Sequence, residues 1–420
     1  MSREKRVIVK RLLLALLAGT VAVMLVIGTV YFRSTQVIEL PIPLTPDNNS
    51  PGVLCKAEQV GNFGTFAFRS LLWWADLPEG VSVHNGAKLY RLKYWTKRYD
   101  GVPTVASGLV AIPTVASFRG VVSYQHGTNT NRHATPSQPS LGEGVLGAAI
   151  FSGAGYLFVA PDYVGLGASP EIHTYLHAES TANTVIDLLR AANRFTEWLH
   201  KQWPESLYLI GFSQGGHATL AAQRMLETMN DPMFRVVASA PVSGAYDLSG
   251  ISFPTALAGS SSADSLYLAY LLNSYCRVYG RPIESVLTAA YARTLPELFD
   301  GEHSGDEISA ALPRTPREMF NAEFLQNYES GKPTWLLDAL ASNQVLQWSP
   351  RAPLRLYFGE NDADVSPKEA QAAVTEFSKR GCDATLASVG ACGHEESILR
   401  AVPKIRKWFD ELSAKSAPSN

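Results

Sequence analysis

The sequence predicts an α/β protein with a mostly parallel central sheet, helices on both of its faces, and a block of helices inserted late in the sheet. Three observations lead there. Between residues 89 and 244, apolar runs of strand character alternate with helical stretches, a pattern that builds parallel sheets through helical crossovers. The alternation stops from 245 to 349, a segment rich in Tyr and Leu, and resumes at Leu354. Finally, the apolar run Leu207-Tyr208-Leu209-Ile210 leads directly into Gly211-Phe212-Ser213-Gln214-Gly215-Gly216 and then a helix-like stretch, 217–229.

With 420 residues, 46% of them apolar, the chain can bury a large core. Its net charge of −2 leaves no basic excess for a nucleic-acid partner. One domain with an inserted subdomain fits this length. The expected organisation is an N-terminal stub and anchor over 1–33, a linker over 34–54, a core formed by 55–244 and 350–414, and a helical cap over 245–349.

Residues 1–11 carry Arg3, Lys5, Arg6, Lys10 and Arg11 against the single acid Glu4, and residues 12–32 carry no charge. As a helix, 12–32 would span about 30 Å, the thickness of a bilayer core. The run is longer than the core of a secretory signal and ends in Val30-Tyr31-Phe32-Arg33, without a small-residue cleavage site. The expectation is a single-pass anchor with its basic end in the cytoplasm and the rest of the chain outside, a cleaved signal and secretion being the alternative.

Residues 34–52 are proline-rich and read as extended linker. Residues 55–86, with Trp73-Trp74, are expected to pack on the domain. Strands follow at 89–98, 105–112 and 120–125, the first two joined by a hairpin turn at Asp100-Gly101. A short strand at 156–160 ends in Pro161-Asp162, and 178–200 is an amphipathic helix with Val185, Leu188, Leu189 and Ala192 on one face. The strand before Ser213, the helix after it and a strand at 236–241 complete the first part of the sheet. After the insertion come strand 354–358, helix 367–379, strand 384–389 and helix 395–412. This places the cap after the sixth of eight strands.

Four cysteines, Cys55, Cys276, Cys382 and Cys392, are compatible with disulfides in an oxidising compartment without requiring any. Cys382 and Cys392 flank the strand 384–389, which would hold them about 20 Å apart, well beyond bridging distance.

The chemistry concentrates at Ser213. A strand-to-helix turn this tight requires glycine at 211 and 215, strains the serine, and aims helix N–H groups at a developing anion. A serine hydroxyl needs a base to take its proton and an acid to hold that base in the correct tautomer. His394, in Gly390-Ala391-Cys392-Gly393-His394, lies in the glycine-rich loop before the last helix and is the candidate base. The loop after strand 354–358 offers Asp362 and Asp364. The spacing of Gly359, Asp362 and Val365 selects Asp362, while Asp247 after the sixth strand is a third candidate. For the oxyanion, one backbone N–H comes from Gln214 and the other from the corner His126-Gly127-Thr128, through Gly127 or Thr128. His173 and His177, four apart, lack the Glu of a metal-binding H-E-x-x-H motif. His217 reads as a packing residue, and Asp162 as a loop organiser.

Together these residues resemble the α/β-hydrolase superfamily and, more narrowly, the secretory lipases of the lipase A type and their bacterial relatives. The narrower likeness rests on Gln125-His126-Gly127-Thr128, Pro161-Asp162-Tyr163-Val164-Gly165-Leu166-Gly167, Tyr175-Leu176-His177-Ala178-Glu179-Ser180 and the segment around Ser213. It runs from about residue 88 to 412 and is weak in the cap. The resemblance implies a carboxylic-ester hydrolase with Ser213, Asp362 and His394 as its triad and no metal or organic cofactor. The apolar, tyrosine-rich cap suggests an uncharged ester, small or lipid. Two alternatives stand beside this: a peptidase or amidase using the same triad, with acids such as Glu302, Asp306 or Glu307 gripping an amine, and an inactive membrane-tethered binding protein.

Overall fold

The central run of β-branched and aromatic residues forms one ten-stranded sheet in the computed structural model, which describes residues 37–42, 48–76, 80–138 and 142–416. In chain order the strands are β1 (Ile38–Glu39), β2 (Leu54–Phe63), β3 (Ala87–Lys97), β4 (Pro103–Pro113), β5 (Val121–Gln125), β6 (Leu157–Pro161), β7 (Ser206–Phe212), β8 (Arg235–Val242), β9 (Leu354–Phe358) and β10 (Ala384–Ser388). Their order across the sheet is β1-β2-β3-β4-β6-β5-β7-β8-β9-β10. From β6 to β10 neighbouring strands are parallel, and β1 to β4 form an antiparallel extension that joins through β4 and β6.

Each face of the sheet buries its own apolar layer. One combines Leu109, Val122, Phe158 and Tyr208 with Ile405 and Phe409 of the helix His394–Ser416. The other sets Leu92, Val159 and Leu209 against Leu188 and Phe195 of the helix Ala178–Trp198. Burying each such side chain fully contributes about 1.5–3 kcal/mol, so the sheet is a rigid platform for whatever its edge carries.

Between β8 and β9 the chain is helical, with Phe253–Leu257, Ser262–Val278, Ala289–Leu298, Gly305–Ala311, Ala322–Glu329 and Trp335–Ser342. These helices have a core of their own around Leu272, Tyr275, Leu295, Phe324 and Leu336. Polar ties fasten them to the sheet domain: the Tyr275 hydroxyl donates to Leu176 O (3.1 Å), and the Tyr270 hydroxyl to Asn129 O (3.0 Å).

Some expectations change. The tryptophans at 73 and 74 do not pack inward. The helix Thr65–Trp74 buries Phe68 and Leu72, and leaves Phe66, Trp73 and Trp74 at 83%, 84% and 75% exposure. Ile38–Glu39, within the stretch read as linker, pairs with β2. The membrane-anchored, single-pass localisation is corrected. Among the described residues no helix is long and apolar enough to cross a membrane. Residues 12–32, on which that expectation rested, lie outside the described residues. The four cysteines are all free thiols.

Candidate active site

The strand β7 ends at Phe212 and the helix Gln214–Met229 begins two residues later, so Ser213 alone makes the turn. It does so at φ 56°, ψ −120°, a left-handed conformation that a non-glycine residue holds only where its surroundings over-determine it. The flanking glycines show why. A Cβ on Gly211 would lie 2.1 Å from Gly215 O, and one on Gly215 would lie 1.9 Å from Gln125 O. The Ser213 N–H donates to Val242 O (2.9 Å), which anchors the corner to β8.

Three side chains from three segments meet there. Ser213 Oγ lies 2.9 Å from His394 Nε2, and His394 Nδ1 donates to Asp362 Oδ2 at 2.8 Å. Asp362 is fixed from behind, since its Oδ1 accepts the N–H groups of Asp364 (3.1 Å) and Val365 (2.9 Å). All three are buried, at 6%, 7% and 7% exposure for Ser213, Asp362 and His394. The ring of Phe212 covers His394, with centroids 4.7 Å apart. Such a series holds the imidazole with its proton on Nδ1 and leaves Nε2 free to accept one from the hydroxyl.

The other acids are engaged elsewhere. Asp364 meets the Tyr267 hydroxyl at 3.5 Å. Asp247 caps the turn at Leu248–Ser252 and accepts from Gln344 Nε2 (2.7 Å). Asp162, fully buried, accepts from the hydroxyls of Ser107 (2.6 Å) and Ser137 and from the N–H of Ser137, and so organises its loop. His177 caps the helix Ala178–Trp198, and His217 Nε2 bonds Asn343 O (2.8 Å). Among the described residues no group of three or more His, Cys, Asp or Glu could hold a metal ion.

Gln214 opens its helix, so its N–H has no acceptor one turn back. Gly127 and Thr128 border the same cavity as Ser213 and His394. The Thr128 hydroxyl is tied to the Tyr175 hydroxyl at 2.8 Å.

Two cavities flank Ser213. One, about 70 Å³, runs under the helical insertion between Leu248, Ile251, Leu268 and Leu271. The other, about 460 Å³, is bordered by Tyr124, Glu143, Leu146, Tyr267 and Glu395. Glu143, exposed at the rim of this cavity, accepts from the Tyr124 hydroxyl. Sequence reasoning missed Glu143. It sits at the start of the unrecognised helix Glu143–Phe151, and its partners come from distant segments.

No protein-family model matches the chain, and no curated protein matches it. Solved structures do. A candidate hydrolase from Legionella pneumophila is 30% identical, with a TM-score of 0.82 over 87% of this chain and 100% of that one. The rice cell wall degrading esterase LipA from Xanthomonas oryzae, in a ligand-bound form, is 25% identical, with a TM-score of 0.78 over 88% of this chain and 100% of that one. Candida antarctica lipase A, in its closed state, shares the fold at 16% identity, with a TM-score of 0.66 over 91% of this chain and 87% of that one. The chain belongs to the α/β-hydrolase superfamily, in kinship with the lipase-A-like hydrolases. It is a hydrolase, and its structural relatives are esterases and lipases.

Proposed function

We propose that the chain is a serine carboxylic-ester hydrolase acting through an acyl-enzyme. The observation that carries this reading is the hydrogen-bonded series Ser213, His394, Asp362 at a strained strand-to-helix corner. Ser213 Oγ attacks the ester carbonyl carbon as its proton passes to His394 Nε2, and Asp362 stabilises the imidazolium that forms. The carbonyl oxygen, now an anion, is held by N–H groups of Gln214 and of Gly127 or Thr128. Collapse of the tetrahedral intermediate breaks the ester C–O bond, and the alcohol leaves with the proton from His394. Water then attacks the acyl group by the same route and frees Ser213. The narrow apolar cavity suits a short acyl chain and the wider one the alcohol.

Labelling with a fluorophosphonate probe tests the reading. Stoichiometric labelling that Ser213→Ala abolishes, together with hydrolysis of p-nitrophenyl butyrate, supports it. Folded protein that neither labels nor hydrolyses the ester sinks it and favours a binding role.

Glu143 and Glu395 favour a second reading, a peptidase or amidase that grips an amine. Glu302 and Glu307, by contrast, are occupied: Glu302 pairs with Arg132 and His133, and Glu307 caps its own helix. Aminoacyl p-nitroanilides cleaved faster than the matching p-nitrophenyl esters would select the amidase.

A further inference from the structure

We infer that His173, a residue outside the Ser213–His394–Asp362 series, is a positioning residue that sets the distance between the two halves of the oxyanion site. The inference rests on the ester-hydrolase reading above and adds a residue to it.

The sequence of contacts starts at Gln214, whose side chain is buried beside the nucleophile. His173 Nδ1 lies 2.8 Å from Val164 O, and a carbonyl only accepts, so that nitrogen carries the proton. Burial pushes the ring's pKa down to about 4, which keeps it neutral and makes Nε2 an acceptor. The atom 2.7 Å from Nε2 is therefore the amide nitrogen of Gln214, donating. This bond fixes which way the amide faces, and it does so even though Gln214 Oε1 is left buried without a partner. A buried carbonyl left bare is a cost. The site keeps it in exchange for one defined orientation of the residue that follows Ser213.

The other end of the chain of contacts reaches the second donor loop. The His173 ring stacks near Tyr163 (centroids 5.8 Å apart), and Tyr163 stacks on His126 at 4.2 Å. The Tyr163 hydroxyl donates to His126 O (3.1 Å), and His126 Nδ1 donates to Gly127 O (2.8 Å). One buried column, Gln214-His173-Tyr163-His126, thus joins the helix start that carries one N–H to the corner that carries the other. The loop holding the column is itself over-determined. Tyr163 sits at φ 69°, in the left-handed region, and Gly165, at φ 88°, lies so close that a Cβ would be 2.1 Å from His173 N.

A misplacement of about 1 Å costs about 10²-fold in rate, and losing one oxyanion donor about 10²–10³-fold. The test uses two amides that imitate different ring nitrogens. His173→Asn keeps a donor to Val164 O and loses the contact with Gln214. His173→Gln places an acceptor where Nε2 stood. Rates are measured on p-nitrophenyl butyrate per active site titrated with fluorophosphonate, alongside affinity for an arylboronic acid, whose Ser213 adduct imitates the oxyanion. His173→Asn is expected to lose about tenfold to 10²-fold in kcat/KM, with boronate affinity falling by the same factor, and His173→Gln to recover most of both. Equal per-site rates and boronate affinities in the two variants overturn the inference, as does a loss confined to the number of titratable sites. If His173→Asn does not fold, Tyr163→Phe, which keeps the ring and removes its bond to His126 O, carries the same expectation and the same refutation. A wild-type protein that hydrolyses no ester refutes the underlying reading, an outcome distinct from active wild type with unaffected variants.

Discussion

Replacing Asp362 by Asn changes few atoms and should remove nearly all of the activity. One carboxylate oxygen, Oδ1, accepts the N–H groups of Asp364 and Val365, at 3.1 and 2.9 Å. That position must stay an acceptor, so the amide of Asn puts its oxygen there and its NH2 where Oδ2 stood, 2.8 Å from His394 Nδ1. Two donors then face each other. The imidazole relieves the clash by moving its proton to Nε2, the nitrogen 2.9 Å from Ser213 Oγ. In that tautomer the base has no lone pair for the serine proton. The loss expected from a wrong tautomer is about 10⁴ in kcat, or about 5.5 kcal/mol at the barrier. The assay is the steady-state rate on p-nitrophenyl butyrate, normalised to folded protein by near-UV circular dichroism. Asp364→Asn and Asp247→Asn, whose side chains bond elsewhere, are expected to lose less than about tenfold. An Asp362→Asn enzyme within tenfold of wild type, or a larger loss in Asp364→Asn, refutes the assignment of the acid.

Other predictions follow from the same geometry. Gly215→Ala forces a methyl to within 1.9 Å of Gln125 O, so calorimetry should show a destabilisation of about 1–3 kcal/mol or more, and an unchanged Tm would contradict the packing described. Leu271→Ala enlarges the narrow cavity and should shift preference among p-nitrophenyl esters toward longer acyl chains, at about 2–5 kcal/mol of stability; an unchanged chain-length profile would move the acyl site elsewhere. Glu369, buried and hydrogen-bonded to the N–H groups of Tyr246 and Asp247 and to the Ser252 hydroxyl, is pushed up to about 7, chiefly by burial. Its folded pKa lies above its unfolded one, so the native state holds the proton more tightly. The stability this contributes is full below about pH 4.5 and is lost as pH rises toward 7, about 3 kcal/mol across the window. Urea midpoints of Glu369→Gln should lack that part of the pH slope, and parallel profiles would reject it.

How much of this was legible in the sequence depended on whether the signal was local. The elbow could be read because its causes lie within a few residues: an apolar run, two glycines where a Cβ has no room, and a helix beginning at once. Strands β3 to β10 showed the same clarity. Strand β2 did not, because irregularities between Leu54 and Lys56 and between Gln59 and Gly61 break the two-residue alternation that marks a strand. The helix Thr65–Trp74 was obscured by its composition, since three large aromatics face outward where burial is the usual expectation. At the site, Ser213, His394 and Asp362 were each legible from a loop position after a strand. Glu143 and His173 were not, because each meets a partner from another segment of the chain: Tyr124 for one, Gln214 for the other.

Catalysis through an acyl-enzyme requires Ser213 to carry the acyl group between two half-reactions. Mixing the enzyme with p-nitrophenyl butyrate, quenching in acid within the first turnovers and mapping the peptides by mass spectrometry tests it most directly. One butyryl group is expected on the peptide containing Ser213, formed in step with a burst of p-nitrophenol and absent from Ser213→Ala. Turnover without a burst or adduct, or a butyryl group on another residue in an enzyme that stays active as Ser213→Ala, would contradict it.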